Sequence, residues 1–196
     1  TDIIQKYQQS TSNQNINTLL DIKIAQLYFL QGDRDSTISH CNKLLTTLPR
    51  DNSYYNDLLD LISIAYLFED EEEFKNYTYT KLLSFQDNLS LAKETLENMD
   101  SKNEEINNLY IYELAYANFL TKDYSLTIDL INQIPNESIY KEYALILISE
   151  MYQYKLDNPI EAIKSYNEFI NLFSNSIYYD TVRLRLRELI NKEYDS

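Results

Sequence analysis

The sequence predicts an all-α fold, and three observations lead to this prediction. The 196 residues include one glycine and three prolines, too few for the tight turns of a hairpin-rich β protein or for glycine-rich nucleotide loops. Apolar residues recur at helical spacing, as they do within residues 54–68. A layout of helix, short polar turn and second helix recurs along the chain, and 44% hydrophobic residues are enough for a folded core.

Three of these helix-turn-helix stretches are regularly spaced. A small residue lies near the start of each second helix, and these residues, Ala92, Thr127 and Ala162, follow one another at intervals of 35. The polar turns that precede them are Gln86-Asp87-Asn88, Lys122-Asp123-Tyr124 and Asp157-Asn158-Pro159. A regular interval of about this length is typical of helical-repeat proteins.

An earlier copy of the layout lies nearer the N-terminus. Its turn is Gly32-Asp33, and Thr37 occupies the small-residue position of its second helix. Thr37 lies 55 residues before Ala92, which is too far for a single repeat. Residues 54–68 fill the surplus with apolar residues at helical spacing, so we predict an inserted helix there.

The first copy carries a small residue, an aromatic residue, a Gly-Asp turn, an apolar pair and a closing proline: Ala25, Tyr28, Gly32, Asp33, Leu44, Leu45 and Pro49. This pattern resembles the tetratricopeptide repeat, a helix-turn-helix unit of about 34 residues. Asp21 and Thr37 stand where Trp and Ala are common in the family, and later copies have Asp87, Lys122 and Asp157 in place of the turn glycine. The resemblance implies a right-handed superhelix of about four helix pairs.

We therefore expect a single helical-repeat domain that is part of a longer protein. Its predicted parts within 1–196 are repeats at about 18–51, 73–106, 108–141 and 142–175, an inserted helix at 54–68 and a capping helix at 179–192. Helix starts support this division. Asp33 and Asp123 are predicted N-caps, and Asn158, Pro159 and Glu161 form an N-cap, a first-turn proline and a capping-box partner.

The C-terminal segment combines an aromatic residue, a serine and an arginine-rich helix with a leucine near its end: Phe173, Ser176, Arg183, Arg185, Arg187 and Leu189. It resembles the end of bacterial cell-envelope tetratricopeptide proteins, such as outer-membrane assembly lipoproteins and periplasmic coordinators of envelope constriction. Ser174 occupies the position where those proteins have proline. The resemblance implies a periplasmic or outer-membrane location, and a cytoplasmic location is the alternative. Because the first residue is Thr, we expect a processed or truncated N-terminus, and whether a leader or a lipid anchor was lost with it is left open.

The charge of the chain restricts its partners. Seventeen basic and 31 acidic residues give a net charge of −14, so nucleic acid and anionic membrane surfaces are repelled at long range. The longest apolar stretch, residues 143–148, is far shorter than the roughly 20 residues that span a bilayer, and no membrane-spanning helix is predicted. We expect a protein or peptide partner that is basic or neutral, and the oligomeric state is left open.

Signatures of catalysis and of metal binding are nearly absent. The single histidine, His40, precedes the single cysteine, Cys41, and adjacent residues point about 100° apart on a helix. We predict a core cysteine beside a surface histidine rather than a thiolate-imidazolium pair. The acidic run at 69–73 lacks the ligand pattern and glycine of a calcium loop, and it is predicted to be a solvated helix start. No catalytic residue, cofactor or metal is predicted.

Nineteen tyrosines are the unusual feature of the composition. The family resemblance implies that the first helix of each pair faces a concave groove, whose exposed positions would be Lys23, Gln26, Tyr77, Lys81, Tyr112, Tyr116, Glu150 and Tyr154. Tyrosine and charged residues there would suit an extended peptide or a helix, and ordinary packing between repeats is the alternative. We predict a non-catalytic protein-protein interaction scaffold. A cytoplasmic adaptor and an accessory domain of an enzyme are the alternatives.

Overall fold

The computed structural model describes residues 13–194, so residues 1–12 and 195–196 of the predicted domain lie outside the described residues. The described range contains helices and no strand, which confirms the all-α class. None of these helices is both long enough and apolar enough to cross a membrane. They are α1 Gln14–Leu30, α2 Arg34–Thr47, α3 Tyr55–Leu67, α4 Glu71–Phe85, α5 Leu89–Glu97, α6 Glu104–Leu120, α7 Tyr124–Ile131, α8 Ile139–Tyr154, α9 Pro159–Leu172 and α10 Tyr179–Tyr194.

The chain divides into two compact units. Unit 1 is Thr1–Asn88, with helices α1 to α4, and unit 2 is Leu89–Ser196, with helices α5 to α10. Each unit has its own buried apolar residues. The continuous right-handed superhelix expected from the family resemblance stays a prediction.

In unit 1, α1 packs against α2, and α3 packs against both. Ala25 of α1, Cys41 of α2 and Leu58 of α3 share one core cluster and are fully buried. Helix α4 contacts α1, where the rings of Phe29 and Phe74 meet edge to face at 5.6 Å. The helix in the stretch predicted as an insertion therefore completes the core of the first helix pair.

In unit 2, α6 packs against α7, and α8 contacts both of them. Helix α8 packs against α9, α10 packs against α9, and α5 packs against α6. The small residues at the 35-residue interval, Ala92, Thr127 and Ala162, are each fully buried. A side chain with little bulk lets neighbouring helices approach closely, which explains the recurrence of small residues at this position.

Four turns between helices share one backbone conformation. Each turn contains a residue with a positive φ, which is 71° at Gly32, 60° at Asp87, 66° at Lys122 and 47° at Asp157. In three turns the next N–H donates to the carbonyl five residues earlier: Asp33 to Tyr28 at 3.0 Å, Asn88 to Leu83 at 2.9 Å and Asp123 to Asn118 at 2.9 Å. The fourth turn joins Asn158 to Tyr152, six residues earlier, at 2.9 Å, because this turn has one more residue between the end of its helix, Tyr154, and the positive-φ residue Asp157. Residues other than glycine thus adopt the left-handed turn.

The predicted N-caps are present. The Asp33 side chain accepts a hydrogen bond from Ser36 N at 3.0 Å. The Asp123 side chain accepts one from Leu126 N, and the Asn158 side chain accepts one from Glu161 N, each at 3.2 Å. The reciprocal bond of a capping box is not made at Asn158, whose own N–H donates to Tyr152 O. The Glu161 carboxylate instead pairs with Lys164. The predicted N-cap of α9 is therefore present, but the prediction that Glu161 completes a capping box is wrong.

Candidate functional site

A cleft of about 330 Å³ opens among α6, α8 and the start of α10 in unit 2. Its walls combine aromatic, apolar and charged residues. They are the tyrosines Tyr112, Tyr116, Tyr143 and Tyr178, the apolar Ile146, Leu147 and Val182, and Thr181, Glu150 and Arg185. The three structural elements supply residues to a single surface, so a ligand in this cleft would contact all of them.

The tyrosine rings of the cleft contact one another. The ring centroids of Tyr112 and Tyr143 lie 6.0 Å apart, and those of Tyr143 and Tyr178 lie 6.1 Å apart. The planes of the first pair are tilted by 48°, and those of the second are inclined by 68°, an edge-to-face geometry that aromatic pairs favour. Tyr140 packs against the Tyr112 ring at 6.2 Å. Rings held in this way lose little conformational entropy when a ligand binds.

A network of hydrogen bonds positions Tyr178. Its backbone N–H donates to the Ser176 hydroxyl oxygen at 2.9 Å, and the Ser176 hydroxyl donates to the Glu142 carboxylate in the first turn of α8. The start of α8 has the same arrangement. The Tyr140 N–H donates to the Ser138 hydroxyl oxygen, and the Ser138 hydroxyl donates to the Glu105 carboxylate. The repeat geometry therefore fixes the loop that brings Tyr178 to the cleft.

Glu150 of α8 and Arg185 of α10 form an ion pair in the cleft wall. Their side chains are 37% and 36% exposed. Arg185 also hydrogen-bonds Tyr166, whose hydroxyl donates to Gln153 Oε1 at 2.7 Å. Burial, and after it the negative charge of Glu150, raises the pKa of Tyr166, so this hydroxyl stays protonated at neutral pH. The guanidinium is thus held by two partners.

Three predicted groove residues of unit 2 line this cleft. Tyr112 is half-buried, Tyr116 is 41% exposed, and Glu150 carries the ion pair. Burial, followed by the charge of Glu113, raises the pKa of Tyr112. Tyr154 is 61% exposed at the end of α8 and does not belong to the lining of the cleft.

The other four predicted groove residues belong to unit 1. Lys23 is exposed and donates to Gln26 Oε1 at 2.9 Å, and Lys81 is half-buried on α4. Tyr77 is fully buried, so the expectation that it is exposed is wrong. Its ring stacks on Phe68, with 5.2 Å between centroids. The segment that follows α3 supplies this Phe68, and it covers a position that an uninterrupted repeat would leave open.

The sequence-based prediction of the groove did not include the other seven lining residues, among them Tyr143, Tyr178 and Arg185. The repeat interval itself could have led from the predicted Glu150 to Arg185. Tyr178 lies 35 residues after Tyr143, and Arg185 lies 35 residues after Glu150. Helix α8 and the C-terminal segment that ends in α10 therefore present equivalent positions to the cleft, although α10 was predicted only as a cap.

The Cys41 thiol is confirmed as a core group. Cys41 is fully buried, and burial raises its pKa to about 11, which keeps the thiol protonated at neutral pH. His40 is half-buried rather than a surface residue, so that expectation is wrong. Its ring meets Tyr28 edge to face at 5.8 Å, and Nε2 lies 3.8 Å from Asp21 Oδ1. Burial lowers the pKa of His40, although Asp21 opposes this effect.

The acidic run at 69–73 leads into α4. Asp70 is the N-cap and accepts a hydrogen bond from Glu73 N at 2.8 Å. Glu71 and Glu72 are exposed in the first turn, where negative charge is favourable next to the helix N-terminus. Residues 13–194 contain no group of three or more His, Cys, Asp or Glu residues that could hold a metal ion.

No protein-family model, curated protein or solved structure matches this chain. The resemblance to tetratricopeptide proteins and to their cell-envelope members therefore stays a prediction from the residues that carry it. Structural support for a function comes from the cleft in unit 2.

Proposed function

We propose that this chain is a non-catalytic protein-protein interaction scaffold, and that it binds a peptide or protein segment in the cleft among α6, α8 and α10. One observation carries this proposal. Four tyrosine rings line a single open cleft of about 330 Å³, and Tyr116 has 41% of its surface in contact with solvent. Rigid amphipathic rings provide contact area and a hydroxyl for hydrogen bonding at low entropic cost, which is why tyrosine is enriched in binding hot spots.

The proposal extends to a bacterial cell-envelope complex, on the strength of the resemblance at the C-terminus. A cytoplasmic adaptor is the second candidate, because the arginine-rich ending that carries the resemblance also makes bonds within the fold. Arg185 is bonded to Glu150 and Tyr166 within unit 2. Part of the arginine-rich ending thus has a structural role that any compartment would allow.

Affinity capture from a lysate of the source organism tests the proposed function. The baits are the unchanged chain, Tyr116→Ala and Tyr79→Ala, since Tyr79 is a tyrosine of similar exposure, 47%, on α4 of unit 1. We expect the Tyr116 variant to lose partners that the Tyr79 variant retains. Equal retention by all three baits would remove the cleft as the binding surface. The compartment of the lost partners would decide between the envelope and cytoplasmic candidates.

A further inference from the structure

We propose that the cleft receives the side chain of a lysine or arginine from an extended segment of the partner. This inference rests on the proposed function and adds the chemistry of the bound residue. A long cationic side chain has an apolar stem and a charged end. The cleft offers surfaces for both, and the charge of the chain favours such a partner over an acidic one.

The tyrosine rings provide the first surface. Because Tyr143 is inclined to both Tyr112 and Tyr178, the rings do not stack in one parallel column. An inclined arrangement leaves ring faces directed toward more than one side of the cleft. A cation within about 6 Å of a tyrosine face is attracted by the negative potential of the ring.

The Glu150 carboxylate provides the second surface. Glu150 lines the cleft, and its contact with Arg185 is made through Oε1. A carboxylate has two oxygens with about four sites for hydrogen bonds, so one intramolecular guanidinium does not use its full capacity.

Arg185 shows that this wall accommodates a guanidinium. Its side chain is 36% exposed, pairs with Glu150 and hydrogen-bonds the Tyr166 hydroxyl. The lining holds one acid and one base, so the pair leaves the cleft itself neutral. The electrostatic potential around the whole chain is negative, since the chain has a net charge of −14. A cationic segment is therefore attracted during approach, and an acidic one is repelled.

The apolar residues of the cleft suit the methylene stem. Ile146, Leu147 and Val182 lie in the same lining as the tyrosines. A volume of about 330 Å³ leaves room for one long side chain together with part of its backbone. Burial of the stem adds a hydrophobic contribution that free ammonium ions cannot supply.

Binding of three small probes to the whole chain tests this inference. The probes are the Nα-acetyl methylamides of lysine, norleucine and glutamate, and tyrosine ring resonances are followed by NMR. We expect lysine to shift the rings of Tyr112, Tyr116, Tyr143 and Tyr178. Its dissociation constant should be roughly three- to fivefold lower than that of norleucine, the ratio expected of an exposed cation-π contact.

Two variants give the controls. Tyr116→Leu keeps apolar bulk but removes one of the four aromatic rings, so we expect the advantage of lysine over norleucine to decrease. Tyr79→Leu, in unit 1, should leave the ratio unchanged. Equal binding of lysine and norleucine to the unchanged chain would overturn the inference, as would tighter binding of glutamate.

The two proposals can fail separately. If Tyr116→Ala loses its captured partner while lysine and norleucine bind equally, the cleft is a protein-binding site without a cationic preference, and the inference is wrong. If lysine binds selectively while capture is unaffected by Tyr116→Ala, the cationic preference is supported and the proposed function is wrong.

Discussion

The Glu105 carboxylate in the first turn of α6 accepts a hydrogen bond from the Ser138 hydroxyl at 2.8 Å. The same oxygen accepts from the backbone N–H of Ile139, the first residue of α8, at 2.9 Å. One helix pair later, Glu142 and Ser176 are joined in the same way. An acidic residue in one first helix thus caps the segment that enters the next, which fixes the start of one repeat relative to its predecessor.

Glu105→Ala should destabilise unit 2 by about 1–3 kcal/mol, because Ser138 and Ile139 N lose a charged acceptor. The urea dependence of helical circular dichroism measures this change. Glu104→Ala is the matched control, since Glu104 is exposed in the same helical turn. It should lose only the roughly 0.3–1 kcal/mol that a charge near the helix N-terminus contributes. Equal losses in the two variants would show that the contact with Ser138 contributes nothing.

Lys122→Gly should stabilise unit 2. Lys122 is exposed and has a φ of 66°, a conformation that is costly for a residue with a Cβ atom and that glycine adopts without penalty. We expect a gain of roughly 0.5–1 kcal/mol in the free energy of unfolding, after the greater freedom of glycine in the unfolded chain is subtracted. Lys155→Gly is the control, because Lys155 has a φ of −114° and should lose stability instead. A loss at both positions would contradict the left-handed turn at Lys122.

Gly32→Ala should have the opposite effect in unit 1. Gly32 has a φ of 71°, and an added Cβ would lie 2.7 Å from Lys75 Cγ and 3.1 Å from Lys75 Cα. The side-chain atom can move, but the Cα belongs to the backbone of α4. The left-handed conformation alone costs a residue with a Cβ atom about 1–2 kcal/mol. We therefore expect Gly32→Ala to lower the free energy of unfolding by more than this, as measured by thermal or urea unfolding. Lys122→Ala controls for the conformation, because a Cβ is already present there, and it should be nearly neutral.

The stability of unit 1 should depend on His40 as the pH falls from neutral into the acidic range. Burial lowers the pKa of His40 below its usual value near 6.5, so the unfolded chain binds the proton more tightly than the folded one. The contribution of neutral His40 is therefore fully present above pH 6.5 and is lost as the pH falls toward the folded-state pKa. The decrease in unfolding free energy across this range should be smaller in His40→Gln. Since His40 is the single histidine, the difference between the two proteins isolates its titration. Identical pH profiles would contradict this account.

Local signals in the sequence were sufficient for the helices and the turns. The interval of 35 relates Asp87, Lys122 and Asp157, the repeat pattern aligns them with Gly32, and all four have a φ in the left-handed region. The N-caps at Asp33 and Asp123 were also predictable, because a cap depends on residues within one turn of helix.

Exposure could not be predicted in the same way, because it depends on residues far apart in the chain. Tyr77 occupies a groove position by repeat spacing, yet Phe68 covers it. The partnership of Glu150 with Arg185 also depends on how α10 lies against α8. The 35-residue interval relates the two positions, but helix spacing alone does not state which side chains will meet.

Tyr112 and Tyr116 distinguish packing from binding within one helix. Tyr112 is half-buried, with its ring against Tyr140 and Tyr143, whereas Tyr116 is 41% exposed. Tyr112→Ala should therefore destabilise unit 2 by about 2–4 kcal/mol, somewhat less than a fully buried aromatic residue, and Tyr116→Ala by less than about 1 kcal/mol. Urea unfolding of both variants measures these values.

The comparison also determines how a binding defect should be interpreted. A loss of binding in Tyr112→Ala alone follows from damage to the fold, because this ring supports its neighbours in the cleft. Tyr112→Phe keeps that ring and removes only the hydroxyl, so it should retain most of the stability. A loss of binding in Tyr116→Ala at unchanged stability can only come from the surface of the cleft. If Tyr116→Ala proves as destabilising as Tyr112→Ala, both tyrosines serve the packing between helices, and the cleft loses the exposed ring on which the proposed function rests.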